Sequence, residues 1–150
     1  MRSYLIGVGN PAMSDDGIGL RVVEHLADTG LLPASVTPVV LGQDGLALLS
    51  YLAETNRRVM VVDAVRMGLE PGAWRWFRPE EVESRKPQGR ASTHEDDLVR
   101  VLEMARQIGG PLPQVLILGI EPARLEPGFE LSDLLRARFA DYVEACLSNL

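Results

Sequence analysis

Apolar positions along the chain fall into short runs separated by stretches with helical spacing, an alternation that predicts a sheet covered by helices. The run Tyr4-Leu5-Ile6-Gly7-Val8 predicts a first, buried strand. A loop from Gly9 to Asp15 leads into a helix near Asp16, whose Ile18, Val22, Val23 and Leu26 form one apolar stripe. Val36 to Leu41 reads as a second strand, weakened by Pro38, which removes one ladder donor. Leu46, Leu49 and Leu52 predict a short helix after it, and Val59 to Val62 is the clearest central strand, ending at Asp63. Trp74 to Phe77 forms a further strand, reached through the turn-forming Glu70-Pro71-Gly72. Trp74 and Trp76 share one face of it, which suits core packing or an edge-strand face.

The next stretch, Ser84 to Ala91, is polar and basic and reads as a solvated loop. Ser92 and Glu95 then make a capping box, opening a helix that carries Leu98, Val101, Leu102 and Ala105 inward. Val115 to Ile120 is the last buried strand, and Leu131 to Leu147 a single final amphipathic helix. This order predicts an α/β fold, a three-layer α/β/α sandwich around one mainly parallel sheet of about five strands. No repeat, low-complexity tract or linker divides residues 1–150, so one domain is expected.

Charge narrows the function. A formal net charge of -6 opposes a broad contact with nucleic acid, because phosphates need a basic face. The apolar opening is too short for a signal peptide, and no run approaches a membrane span, so a cytoplasmic protein with no membrane contact is expected. The one cysteine, Cys146, lies among Phe139, Tyr142, Val143 and Leu147 at helical spacing and reads as a small buried hydrophobe. His25, mid-helix beside Glu24, is assigned to the surface.

Gly7-Val8-Gly9-Asn10-Pro11-Ala12 superficially fits a dinucleotide fingerprint. The second strand, however, ends in Val39-Val40-Leu41-Gly42, with no carboxylate to hold a ribose. Asp15 and Asp16 also stand where a pyrophosphate would meet the helix, and their charge repels it. Taken alone, the pair reads as helix capping as readily as chemistry, with Asp15 the N-cap. Asp63 adds weight, because an acid at the carboxyl end of a central parallel strand stands where α/β folds bind ligands. His94 opens its helix directly after Ser92-Thr93, and by itself reads as an ordinary satisfied histidine. If the sheet is parallel, Asp16 and Asp63 open on one edge, and the basic loop before His94 is long enough to bring its ring there. Two carboxylates and an imidazole form a donor set suited to nickel or zinc, with positions left over for water or substrate.

Four segments together resemble the hydrogenase maturation proteases. They are Gly7-Val8-Gly9-Asn10 with Ser14-Asp15-Asp16-Gly17-Ile18-Gly19, then Val61-Val62-Asp63-Ala64, Ser92-Thr93-His94, and Leu118-Gly119-Ile120-Glu121-Pro122. The resemblance implies a twisted sheet with helices on both sides. It also implies an endopeptidase that removes the C-terminal extension of the [NiFe] hydrogenase large-subunit precursor after nickel insertion. Its metal-contacting and catalytic positions fall on Asp16, Asp63 and His94, with nickel presented by the substrate and possible binding of another divalent metal by the isolated protein. The chain departs from the family at Val40, where an acid is usual after the second strand; Asp44 stands nearby and reads as a turn residue.

Serine and cysteine triads do not fit, since no Gly-x-Ser-x-Gly elbow is present and Cys146 sits late in a helix. A metal-free dyad of Asp16 and Asp63 sharing a proton stays open. So do a nickel-binding maturation chaperone that cuts nothing, and an α/β interaction module in which the acids are caps.

Overall fold

The computed structural model describes residues 2–43, 47–53, 57–79, 81, 103–104, 107 and 114–150. Five strands make one sheet: β1 (Ser3–Val8), β2 (Val36–Gly42), β3 (Arg58–Ala64), β4 (Trp74–Phe77) and β5 (Gln114–Ile120). Their order is β2-β1-β3-β5-β4. The first four strands in that order run parallel, and β4 alone is antiparallel to its neighbour. The expected five-stranded, mainly parallel sheet is therefore present, with the apolar Val59 to Val62 run at its centre. Pro38 lies on β2, an outer strand of this order, where a missing backbone donor costs least.

Alternation along the strands divides the interior into two apolar layers. Leu5, Met60, Val62, Leu118 and Ile120 face helix α1 (Ile18–Thr29) and the C-terminal helices. Ile6, Val59, Val61, Val115 and Ile117 face the other way, onto Leu48 and Leu52 of α2 (Leu48–Leu52). Helices thus cover both faces, as the pattern predicts. Of the short-helix positions read from sequence, Leu49 and Leu52 lie in α2, and Leu46 lies outside the described residues. The loop Ser84 to Ala91, the Ser92–Glu95 capping box and the stripe Leu98 to Ala105 also fall outside them.

The final helix is not continuous. It divides into α3 (Asp133–Ala137) and α4 (Phe139–Leu147), with Arg138 between them at φ -100° and ψ 6°. The Arg138 N–H is shared between the carbonyls of Leu134 and Leu135, each at 3.2 Å, which ends one helix before the next begins. This bend keeps Leu135 and Tyr142 both fully buried against the sheet. Leu131 is buried as well, but it precedes the helix: Ser132 is the N-cap, its Oγ accepting the Leu135 N–H at 3.3 Å. Apolar spacing alone does not distinguish these segments from one helix.

Tyr142 donates from its hydroxyl to the Gly72 carbonyl at 2.8 Å, and its ring meets Trp74 edge to face at 5.7 Å. Trp74 itself is partly exposed on the outer strand, and Trp76 packs against the first layer, as the sequence suggests. Burial pushes the Tyr142 hydroxyl up to about 12, and it pushes the Cys146 thiol up from 9.0 to about 12. Cys146 is the buried hydrophobe expected, and His25 is exposed beside Phe139.

Two close contacts seat α1. A Cβ at Gly19 would fall 2.0 Å from the Val62 carbonyl oxygen and 2.9 Å from that of Val8. The start of α1 therefore rests on the carboxyl ends of β1 and β3. Gly19→Ala is expected to destabilise the fold by about 3 kcal/mol or more, the upper range for overpacking, read as a lowered urea midpoint. Alkaline pH gives a second test. Folded Tyr142 and Cys146 keep protons that the unfolded chain gives up at lower pH, so stability is full below about 9 and falls toward about 12. Cys146→Ala should reduce that alkaline loss, and native Cys146 should resist alkylation at pH 8.

Candidate active site

The site is built at the carboxyl edge of the sheet. After β1 the chain turns at Gly9, whose φ of 135° and approach to Asp16 leave no space for a side chain. Asn10 accepts the Ala12 N–H on its side-chain oxygen at 2.9 Å, closing a local turn. A single 3-10 turn, Ser14–Gly17, follows and carries both acids. Ser14 is held at φ 54°, unusual for a residue with a side chain, and its hydroxyl donates to the Glu126 carbonyl at 2.7 Å.

The two acids have different tasks. Asp15 is fully buried and accepts three backbone N–H groups: Ala123 at 2.9 Å and Arg124 at 2.8 Å on Oδ2, and Ser132 at 2.7 Å on Oδ1. It is structural, as expected, but not as an N-cap. The N-cap of α1 is Gly17, without a side-chain bond, because the intervening 3-10 turn swings Asp15 away from the helix. Asp16, 4% exposed, accepts the Asn10 N–H on Oδ2 at 2.9 Å.

Asp63 lies one residue before the end of β3 and is 1% exposed. It stands opposite Gly119 of β5, a residue without a side chain to crowd it. The 3-10 turn packs against β3, so the elements carrying Asp16 and Asp63 adjoin at one edge of the sheet. His94 lies outside the described residues, as does Asp44. Val40 is described; it lies on β2, pairs with Gly7 of β1 and is exposed.

Glu121 plays a part that the sequence left unassigned. Its Oε1 accepts the N–H groups of Met67 at 2.7 Å and Leu69 at 3.1 Å, fixing the loop that leaves β3 just beyond Asp63. Its sequence signals are its place in the family-like segment Leu118 to Pro122 and an acid at the end of a buried apolar run, as at Asp63. Two buried carboxylates on adjoining elements can hold a cation, orient a water or share a proton. Among the described residues no group of three or more histidine, cysteine or acidic side chains is placed to hold a metal ion.

A family model described as hydrogenase maturation protease matches residues 20–149. The chain belongs to the hydrogenase maturation protease family. It is 32% identical to the hydrogenase expression/formation protein HupD of Bradyrhizobium diazoefficiens, over 97% of this chain and 76% of that protein. It is 30% identical to the hydrogenase 2 maturation protease of Escherichia coli, over 100% of this chain and 91% of the relative. The solved structure of the E. coli hydrogenase maturating endopeptidase HybD is similar over 100% of this chain and 92% of that one, at 31% identity and a TM-score of 0.82. The maturation proteases cleave the C-terminal extension of the hydrogenase large subunit, and this chain is an endopeptidase of that family. The assignment favours a peptidase over a chaperone that escorts nickel without cutting.

Asp15→Asn should separate the two acids' roles. It places an amide donor against backbone donors and removes a charge that accepts three bonds, so a loss of about 2–4 kcal/mol in unfolding free energy is expected. Urea denaturation checks it; an unchanged midpoint would show that Asp15 does not anchor the turn.

Proposed function

We propose that this endopeptidase processes the large-subunit precursor of a [NiFe] hydrogenase in the cytoplasm, after nickel insertion, and reads the inserted metal through Asp16, Asp63 and His94. The observation that carries this reading is the burial of two carboxylates, Asp16 and Asp63, on adjoining elements at the carboxyl edge of a parallel sheet. Buried acids are stable only where donors or positive charge meet them, and oxygen donors with an imidazole match a borderline cation such as nickel. Asp16 and Asp63 are oxygen donors of the kind such a cation takes, which supports the reading.

Nickel carried by the precursor would supply positive charge that polarises the scissile carbonyl and fixes the precursor's C-terminal end. The remaining work belongs to the chain. Asp16 is oriented by the Asn10 N–H, and Asp63 by its place within β3, so neither needs to reorganise when the precursor arrives. One of the two carboxylates takes a proton from the attacking water and returns it to the leaving amine. In this reading His94 supplies the imidazole of the donor set. A zinc or nickel ion bound by the isolated protein would use the same three side chains.

Mass spectrometry of a nickel-loaded precursor incubated with the protein, beside a nickel-free control, tests the reading. A single C-terminal loss seen only with nickel is the expected result; no loss from a cognate precursor would overturn it. Asp16→Asn should slow cleavage by about 100-fold or more, the usual effect of removing a positioned proton acceptor. Full activity in that variant would remove Asp16 from the chemistry.

A further inference from the structure

The segment from Glu121 to Ser132, which joins β5 to α3, has no regular secondary structure, yet it is fastened to the active-site turn along its length. Asp15 receives N–H groups from both of its ends, at Ala123, Arg124 and Ser132. The Asp15 N–H donates to the Arg124 carbonyl at 3.1 Å, and the Ser14 N–H to that of Gly128 at 2.8 Å. Gly128 in turn donates to Ala12 at 2.9 Å. Arg21 of α1 donates to the Phe129 carbonyl. The backbone of this segment is thus held in register with residues 12–15, directly before Asp16.

Phe129 stands on this braced backbone with its side chain turned outward. At 74% exposure it is the most exposed large apolar side chain among those described; the next is Leu31, at 54%. The two differ in place. Leu31 follows the C-terminus of α1, at the opposite edge of the sheet, whereas Phe129 flanks the turn that carries Asp16. An apolar side chain left in water on ordered backbone suits a protein contact, where aromatic anchors carry much of the binding energy. Gly128, the residue before Phe129, bonds Ser14 and Ala12, so Phe129 stands beside the segment that leads into Asp16.

We propose that Phe129 is a specificity-determining contact for the hydrogenase precursor, presented in fixed register with Asp16 through the Asp15 anchor. The proposal rests on the functional reading above. Its ligand is an apolar depression on the folded precursor beside the C-terminal extension. Because the aromatic ring lies outside the donor set, it contributes to association and not to bond cleavage.

The test is steady-state processing of the nickel-loaded large-subunit precursors encoded by the source genome, with wild type, Phe129→Ala, Phe129→Tyr and Leu31→Ala. Phe129→Ala should raise KM by about 10-fold with kcat and melting temperature unchanged, the scale of one lost interface anchor. Phe129→Tyr should recover most of the affinity, and Leu31→Ala should match wild type. A KM within about twofold of wild type for Phe129→Ala, well below the loss of one anchor, would overturn the proposal while leaving the protease reading intact. So would a fall in kcat alone, which would mean that Phe129 acts by holding the turn. A dimer of wild type that Phe129→Ala dissociates in analytical ultracentrifugation, with KM unchanged, would assign the side chain to self-association instead. Failure of wild type to process any precursor would overturn the functional reading, and this contact with it.

Discussion

The sheet edge that carries Asp16 and Asp63 depends on one buried carboxylate, that of Asp15, which is bound to backbone. Asp15 has no water to solvate it, and three backbone N–H groups take water's place. Charge-assisted hydrogen bonds of this kind are about twice as strong as neutral ones, and losing any of them leaves a charge buried in apolar surroundings. The arrangement is therefore close to all or none. With Asp15 in place, the 3-10 turn has one position relative to β5 and α3, and the carboxylate of Asp16 inherits it.

The sheet supplies the rest of the geometry. Parallel pairing of β1, β3 and β5 brings their carboxyl ends to one edge, and the close approach of Gly19 to Val62 brings the start of α1 down upon it. Apolar layers on both faces hold the strands that carry Asp63 and Glu121, and full burial of each large aliphatic side chain contributes about 1.5–3 kcal/mol. Neighbouring acids divide the labour: Asp15 and Glu121 clamp backbone, whereas Asp16 and Asp63 are buried on adjoining elements.

Much of this was legible in the sequence because it is encoded locally. Four apolar residues before Asp63 mark a strand buried on both faces and place the acid at its end. Pro38 marks β2 as a weaker strand, and the sheet places that strand at its edge. Asp15 was harder, since an acid at a helix start obeys a local capping rule, while its actual partners lie 108 to 117 residues downstream. The break at Arg138 left no trace because Leu135 and Tyr142 keep helical spacing across it. Glu121 was visible within the family pattern, but its task depends on Met67 and Leu69, which only the packing of β3 beside β5 brings near.

The length of the Asp15 connection also orders events in time. While the chain is being synthesised, β1, the 3-10 turn and α1 emerge well before Ala123 and Ser132 exist. Until those residues leave the ribosome, the carboxylate of Asp15 must stay hydrated, because no backbone donor from that segment is available to replace water. Contacts of such long sequence separation form late and slow the approach to the native state. A nascent chain therefore holds all the residues of β1 to β3 while the turn that carries Asp16 lacks its anchor, which arrives only when the segment from Ala123 to Ser132 folds back onto it.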